Sequence, residues 1–193
     1  MIAPWLQPPT GPAALLADRF AAAVPHLETA RLTLRAPRLA DYPAYEAVFT
    51  SDRARYIGGP YDAAGAYADF CQGCAGWLLR GAGMWTICLK GSDTALGWVY
   101  LWQEWQDPEP EIGWVLTGAA EGRGYAAEAA EAVLPHAVAL YGVGGFVSYI
   151  DAGNDRSARL AERLGARRDP AAEAVHGEAD LLIFRHFGTE GRS

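Results

Sequence analysis

The stretch from residue 111 to residue 128, E-I-G-W-V-L-T-G-A-A-E-G-R-G-Y-A-A-E, carries a carboxylate at its head and glycines before a run of helix formers. It reads as a strand, a small-residue turn and the first turn of a helix. A helix N-terminus leaves its first N–H groups unpaired and partly positive, and glycine lets an anion come close to that backbone. The turn at Gly118, Gly122 and Gly124 is therefore suited to a phosphate or a diphosphate. Arg123 adds a cation, while Glu121 and Glu128 subtract from it. Glu111 stands at the other end of the same strand, so chemistry at one end and an anchored cofactor at the other is the expected layout.

A second set of residues precedes this strand. Trp98, Tyr100 and Trp102 lie two apart and share one face of a strand. Trp105 follows with the acids Glu104, Asp107 and Glu109. Aromatic faces beside carboxylates suit a cationic amine. Trp98 reads as core, and Trp102, Trp105 and Glu109 as substrate contacts. Asn154 is a good helix N-cap, with Ser157 in the first turn of that helix. His26, His136, His176 and His186 show no ligand spacing and read as structural or surface residues. Cys71 and Cys74 form a lone C-x-x-C with no second pair to complete a zinc site. They read as two buried helix residues, and no metal is expected.

The elements that must position these groups follow from periodicity. A Pro-rich start leads into an apolar helical stretch over 13–24. Residues 29–35 alternate as a half-buried strand. Helices are expected over 39–49 and 62–79, the second with an apolar face of Tyr67, Phe70, Cys71, Cys74 and Leu78. Strands over 84–90 and 94–105 form a hairpin. A helix from Gly124 to about Tyr141 contains Pro135, which is expected to kink it. A strand over 145–150, a helix over 154–164 ended by Gly165, and a strand over 180–187 complete the order. A strand–helix–strand crossing after an antiparallel meander predicts an α/β mixed sheet, mostly antiparallel, with helices on its faces.

The 193 residues suffice for one domain with its own core, expected over 27–193 behind an extension over 1–26. An apolar fraction of 51% with 20% charged residues fits a globular chain rather than a disordered one. No apolar run approaches the roughly 20 residues of a membrane span, and the start lacks a secretory pattern, so the cytoplasm is expected. A net charge of −7 argues against nucleic acid and favours cationic partners. Gly142–Gly145 follows a helix and precedes a strand, the reverse of a dinucleotide fingerprint.

Taken together, the chain resembles the GNAT acyltransferases, the superfamily of acetyl-CoA-dependent N-acetyltransferases. The loop pattern of that superfamily, Gln/Arg-x-x-Gly-x-Gly/Ala, is met by Gly124 and Ala126, with Glu121 a departure at its first place. L-E-T-A-R-L-T-L-R (27–35), G-R-G-Y-A-A-E-A-A (122–130) and N-D-R-S-A-R-L-A-E-R-L-G-A (154–166) are similar to the ribosomal-protein N-terminal alanine acetyltransferases, the Rim-type branch.

The resemblance implies a sheet of six to seven strands flanked by about four helices, and acetyl-CoA as cosubstrate. It implies acetyl transfer to a primary amine, on a protein N-terminus or on a small molecule such as a polyamine or aminoglycoside, by a monomer or homodimer. Glu111 would be the general base, directly or through a water that neighbouring acids could also hold. Ala161 occupies the place of the usual proton-donating Tyr, and Ser157 would protonate the leaving sulfur. Trp114, Val115, Leu116 and Thr117 would pair with the pantetheine arm, which Asn154 and Ser157 line. Gly122, Arg123, Gly124, Tyr125 and Ala126 would hold the diphosphate. Ala166 replaces a usual Phe. The alternative is a non-catalytic acyl-CoA-binding regulatory module.

Overall fold

The computed structural model describes residues 3–187. The first two residues of the 1–26 extension and the last six of the 27–193 domain lie outside the described residues.

Eight strands form one sheet: β1 (Leu27–Glu28), β2 (Leu32–Arg35), β3 (Met84–Leu89), β4 (Gly97–Trp102), β5 (Glu111–Leu116), β6 (Val147–Asp151), β7 (Arg167–Arg168) and β8 (Leu181–Arg185). Their order across the sheet is β1-β2-β3-β4-β5-β6-β8-β7. Every neighbouring pair is antiparallel except β5 with β6. The helices are α1 (Gly11–Ala23), α2 (Tyr42–Phe49), α3 (Ala63–Arg80), α4 (Tyr125–Tyr141), α5 (Asp155–Arg163) and α6 (Pro170–His176). The mixed class is as expected, with eight strands and six α-helices among the described residues in place of six to seven and about four.

Alternation along β4 divides the core between the two faces of the sheet. Val99 and Leu101 join Ile112 of β5 and Ala129, Val133 and Leu134 of α4 in one cluster. Trp98, Tyr100 and Trp102 face the other way and pack with Tyr42 and Tyr45 of α2 and Phe70 of α3. Trp98 is fully buried, as a core residue should be. The strand pairing of Trp102 with Glu111 places Glu111 on this second face.

Four elements differ from expectation. The strand expected over 29–35 is broken: Leu32 N donates to Thr29 Oγ1 at 2.8 Å, and this turn folds Leu27–Glu28 back onto Thr33–Leu34. On α3 the packed side runs through Ala66, Phe70 and Gly73, while Cys71, Leu78 and Leu79 are exposed and Cys74 is half-buried. A Cβ at Gly73 would meet Met84 Cβ at 3.1 Å, so the small residues make the close contact and hydropathy misjudges the face. The buried-pair reading of Cys71 and Cys74 therefore fails for Cys71. Helix α6 and strand β7 were not expected. Two arginines give no hydrophobic signal, whereas Asp169, whose side chain accepts from Ala172 N at 3.0 Å, is a legible N-cap before Pro170.

Candidate functional site

The single matched pair between β5 and β6 is Glu111 with Val147. Val147 N donates to Pro110 O at 2.9 Å, and Ser148 Oγ then reaches across to Ile112 O at 2.5 Å. Since that hydroxyl gives its one proton to Ile112, His186 Nε2, 2.9 Å away, is the donor to Ser148. Burial pushes His186 down to about 4 and keeps it neutral. Beyond this point the strands part.

Thr117 N donates to Leu96 O at 2.9 Å, and the ladder is regular from Gly97–Leu116 to Trp102–Glu111. Alternation then turns the N–H of Val115 towards β4 and those of Trp114 and Leu116 into the opening.

Two clefts meet at this opening. The first, about 820 Å³, contains Glu111, Trp102, Trp105, Glu104, Asp107 and Asp69 in its walls. The second, about 520 Å³, is walled by Leu116, Gly122, Gly124, Tyr125 and Ala126 with the arginines of α5. Arg55, Tyr56, Ile57, Trp114, Val115, Asn154 and Ser157 line both.

Trp102 Nε1 donates to Glu111 Oε1 at 2.8 Å. Withdrawal from water pushes the Glu111 carboxyl up to about 8; the indole N–H opposes this, and the Glu104 and Asp107 charges add to it. Burial, with Asp69 and Asp107 nearby, brings Glu104 to about 7. Burial also raises Asp107 and Asp69, the latter opposed by a hydrogen bond from Tyr45. These neighbours charge one another only at a cost, so a cation entering the cleft would favour their ionised forms. Trp105 projects into solvent at the rim, 88% exposed.

At the second cleft, Gly122 and Gly124 hold φ of +74° and +77°, where a side chain is strained. Gly124 caps α4 without any side-chain acceptor, which leaves the first N–H groups of the helix open to an anion. Glu121 is lowered: two arginines, Arg156 and Arg53, outweigh its partial burial. Glu128 turns away to accept from Arg31 Nε at 2.6 Å and from Thr29 Oγ1 at 2.5 Å. On α5, Asn154 Oδ1 accepts from Ser157 N at 3.2 Å, so the cap is real and uses only the backbone of Ser157.

Three expected contacts do not join the clefts. Glu109 is spent on Arg185, at 2.6 and 2.8 Å, on the far side of its turn. Arg123 is exposed and lines neither cleft, and Thr117 turns its N–H to Leu96. Ala161, at the place of the usual Tyr, is fully buried beside Ile150 and Phe184, as is Ala166 nearly so. Conversely, Asp69, the wall over 55–57, and His176 at the rim of the first cleft were not read from the sequence. Asp69 adjoins the packed Phe70 of α3, which was its available signal. Among the described residues no group of three or more His, Cys, Asp or Glu could hold a metal ion.

The sequence matches the family described as Acetyltransferase (GNAT) domain over residues 31–167. An acetyltransferase structure from Agrobacterium tumefaciens str. C58 is similar at 38% identity and a TM-score of 0.79, over 84% of this chain and 94% of that one. A protein of Bacillus subtilis (strain 168) named "Uncharacterized N-acetyltransferase YnaD" is 27% identical over 148 residues, 75% of this chain and 84% of that protein. RimL, a ribosomal L7/L12 alpha-N-protein acetyltransferase solved with coenzyme A, shares the fold at 17% identity and a TM-score of 0.66, over 86% of this chain and 99% of its own. With the family matched across most of the chain, the chain belongs to the GNAT acetyltransferases.

Proposed function

We propose that the chain moves an acetyl group from acetyl-CoA to a primary amine by direct attack within a ternary complex. The observation that carries this reading is the position of Glu111: a raised carboxyl in an acid-lined cleft that shares a wall with a second, cation-lined cleft. Acetyl-CoA lies in the second cleft, its phosphates at the loop over 122–126 and its pantetheine arm along the gap-facing backbone of Trp114 and Leu116, as an added strand would. The acceptor, a protein N-terminus or a small amine, enters the first cleft past Trp105 and Trp102. The domain over 27–193 acts as a monomer or homodimer. Three free thiols, Cys71, Cys74 and Cys88, suit the cytoplasm.

An amine attacks only when neutral, so ionised Glu111, directly or through water, takes its proton. The amine nitrogen bonds to the thioester carbon, and the resulting oxyanion accepts an N–H from the opening beside Val115. The C–S bond then breaks; Ser157 passes its proton to the departing thiolate and takes up the proton that the new amide nitrogen gives up. Juxtaposition of the two substrates supplies much of the rate. Thiol release from acetyl-CoA against Ala- and Ser-starting peptides, polyamines and aminoglycosides, paired with calorimetric binding, tests this. Turnover on one class names the acceptor; binding with no turnover on any of them favours a regulatory acyl-CoA-binding module instead.

A further inference from the structure

Glu121 replaces the Gln or Arg with which the superfamily's loop pattern begins, and an acid there would repel a diphosphate. The structure shows what the acid does. One Glu121 oxygen accepts from Arg53 Nη2, and the other from Arg156 Nη1 at 2.9 Å. Arg53 comes from the short turn after α2, and Arg156 from the first turn of α5. The clasp therefore joins three separate segments across the second cleft. Arg53 also lies against Gly118, where a Cβ would meet its Nη1 at 3.0 Å and its Cζ at 3.2 Å. Two positive charges face one negative, so the clasp remains cationic. Arg159 and Arg163, three and seven residues beyond Arg156, line the same cleft from the same helix face.

We propose that Arg53 and Arg156 form a phosphate seat for coenzyme A, with Glu121 as the positioning residue that holds both guanidiniums across the cleft. The seat replaces the missing polar or basic group of the loop with two cations brought from elsewhere in the chain. Guanidinium suits this task because it donates to phosphate oxygens in a planar fork and can share one anion with another. This inference rests on the reading of the second cleft as the acetyl-CoA site.

The test is calorimetric binding of coenzyme A, dephospho-coenzyme A and pantetheine to the full chain and to Arg53→Gln and Arg156→Gln. Each variant is expected to lose about tenfold in affinity for coenzyme A and less than about twofold for pantetheine, which shows that the pantetheine channel is intact. Loss retained with dephospho-coenzyme A assigns the seat to the diphosphate, and loss abolished there assigns it to the 3′-phosphate. Equal loss for all three ligands, or none, overturns the seat. Glu121→Ala releases both guanidiniums, so its coenzyme A affinity should fall about as far as in either arginine variant while pantetheine is spared; coenzyme A affinity equal to or above that of the unmodified chain overturns the role given to Glu121. Failure of the unmodified chain to bind coenzyme A at all overturns the cleft assignment itself.

Discussion

Glu111 answers to several forces at once: loss of water, hydrogen bonds from Trp102 and from the Tyr149 backbone, and the charges of Glu104 and Asp107. Its proton must be absent for it to act as a base, so kcat/KM is expected to rise with pH and level off above about 8. Glu111→Gln should lower kcat about 100-fold or more and flatten that rise, with acetyl-CoA affinity spared; steady-state kinetics across pH checks both. The same shift has a stability consequence of opposite sense to the usual carboxylate. The folded chain keeps the Glu111 proton from the ordinary value of 4.5 up to about 8, so wild type loses stability relative to Glu111→Gln as pH climbs through that window. Denaturant melts of both proteins at the two ends of the window should diverge by on the order of 3 kcal/mol. Ser157→Ala separates chemistry from capping. The cap uses the Ser157 backbone N–H, which alanine keeps, so Tm should hold while kcat falls. That Glu111 opens a strand is legible in the sequence; the pairing of Glu109 with Arg185 is not, because Arg185 comes from β8, far along the chain.

At the scale of elements, the loop between β5 and α4 depends on backbone that only glycine adopts without cost. Gly124→Ala has room for its methyl, the nearest atom being Arg31 Nη2 at 3.6 Å, so the penalty comes from φ alone. It should destabilise the chain by about 1 kcal/mol and weaken acetyl-CoA binding by disturbing the open N–H groups of α4; thermal melts and calorimetry report the two effects. Asn154→Ala should cost about 1 kcal/mol through its lost cap. Elements with a strong local signature were readable: the runs of β3 to β5, the glycine turn, the Asn cap of α5. What escaped was settled at a distance. The inner face of α3 is chosen by the fit of Gly73 against Met84, and β7 exists because β8 offers it an edge.

Over the whole molecule, α1 stands apart. None of its residues is buried, Leu15, Leu16 and Phe20 are more than half exposed, and none of the described residues before His26 lines either cleft. Deleting residues 1–22 takes away the packing of Leu6 against the cluster of Tyr42 and Phe70, so it should lower Tm slightly and leave kcat/KM unchanged, whereas deletion through Glu28 also removes β1 and the carbonyl of Pro25 that receives Trp85 Nε1 at 2.8 Å, and should lower Tm further. The sequence disclosed the class and order of this architecture but not the way two clefts share one wall. That wall draws on residues 55–57, 114–115, 154 and 157, three segments far apart along the chain. The strand opening carries one more consequence. With one backbone pair, the Ser148 bridge and the bonds of Glu109 to Arg185 and Tyr149 beside it, β1–β5 and β6–β8 are two leaves joined at one end by a single seam. A cosubstrate lying in that opening would act as mortar between the leaves. Saturating acetyl-CoA should therefore slow amide exchange at Trp114 and Leu116 far more than within β3, where every strand neighbour is already protein.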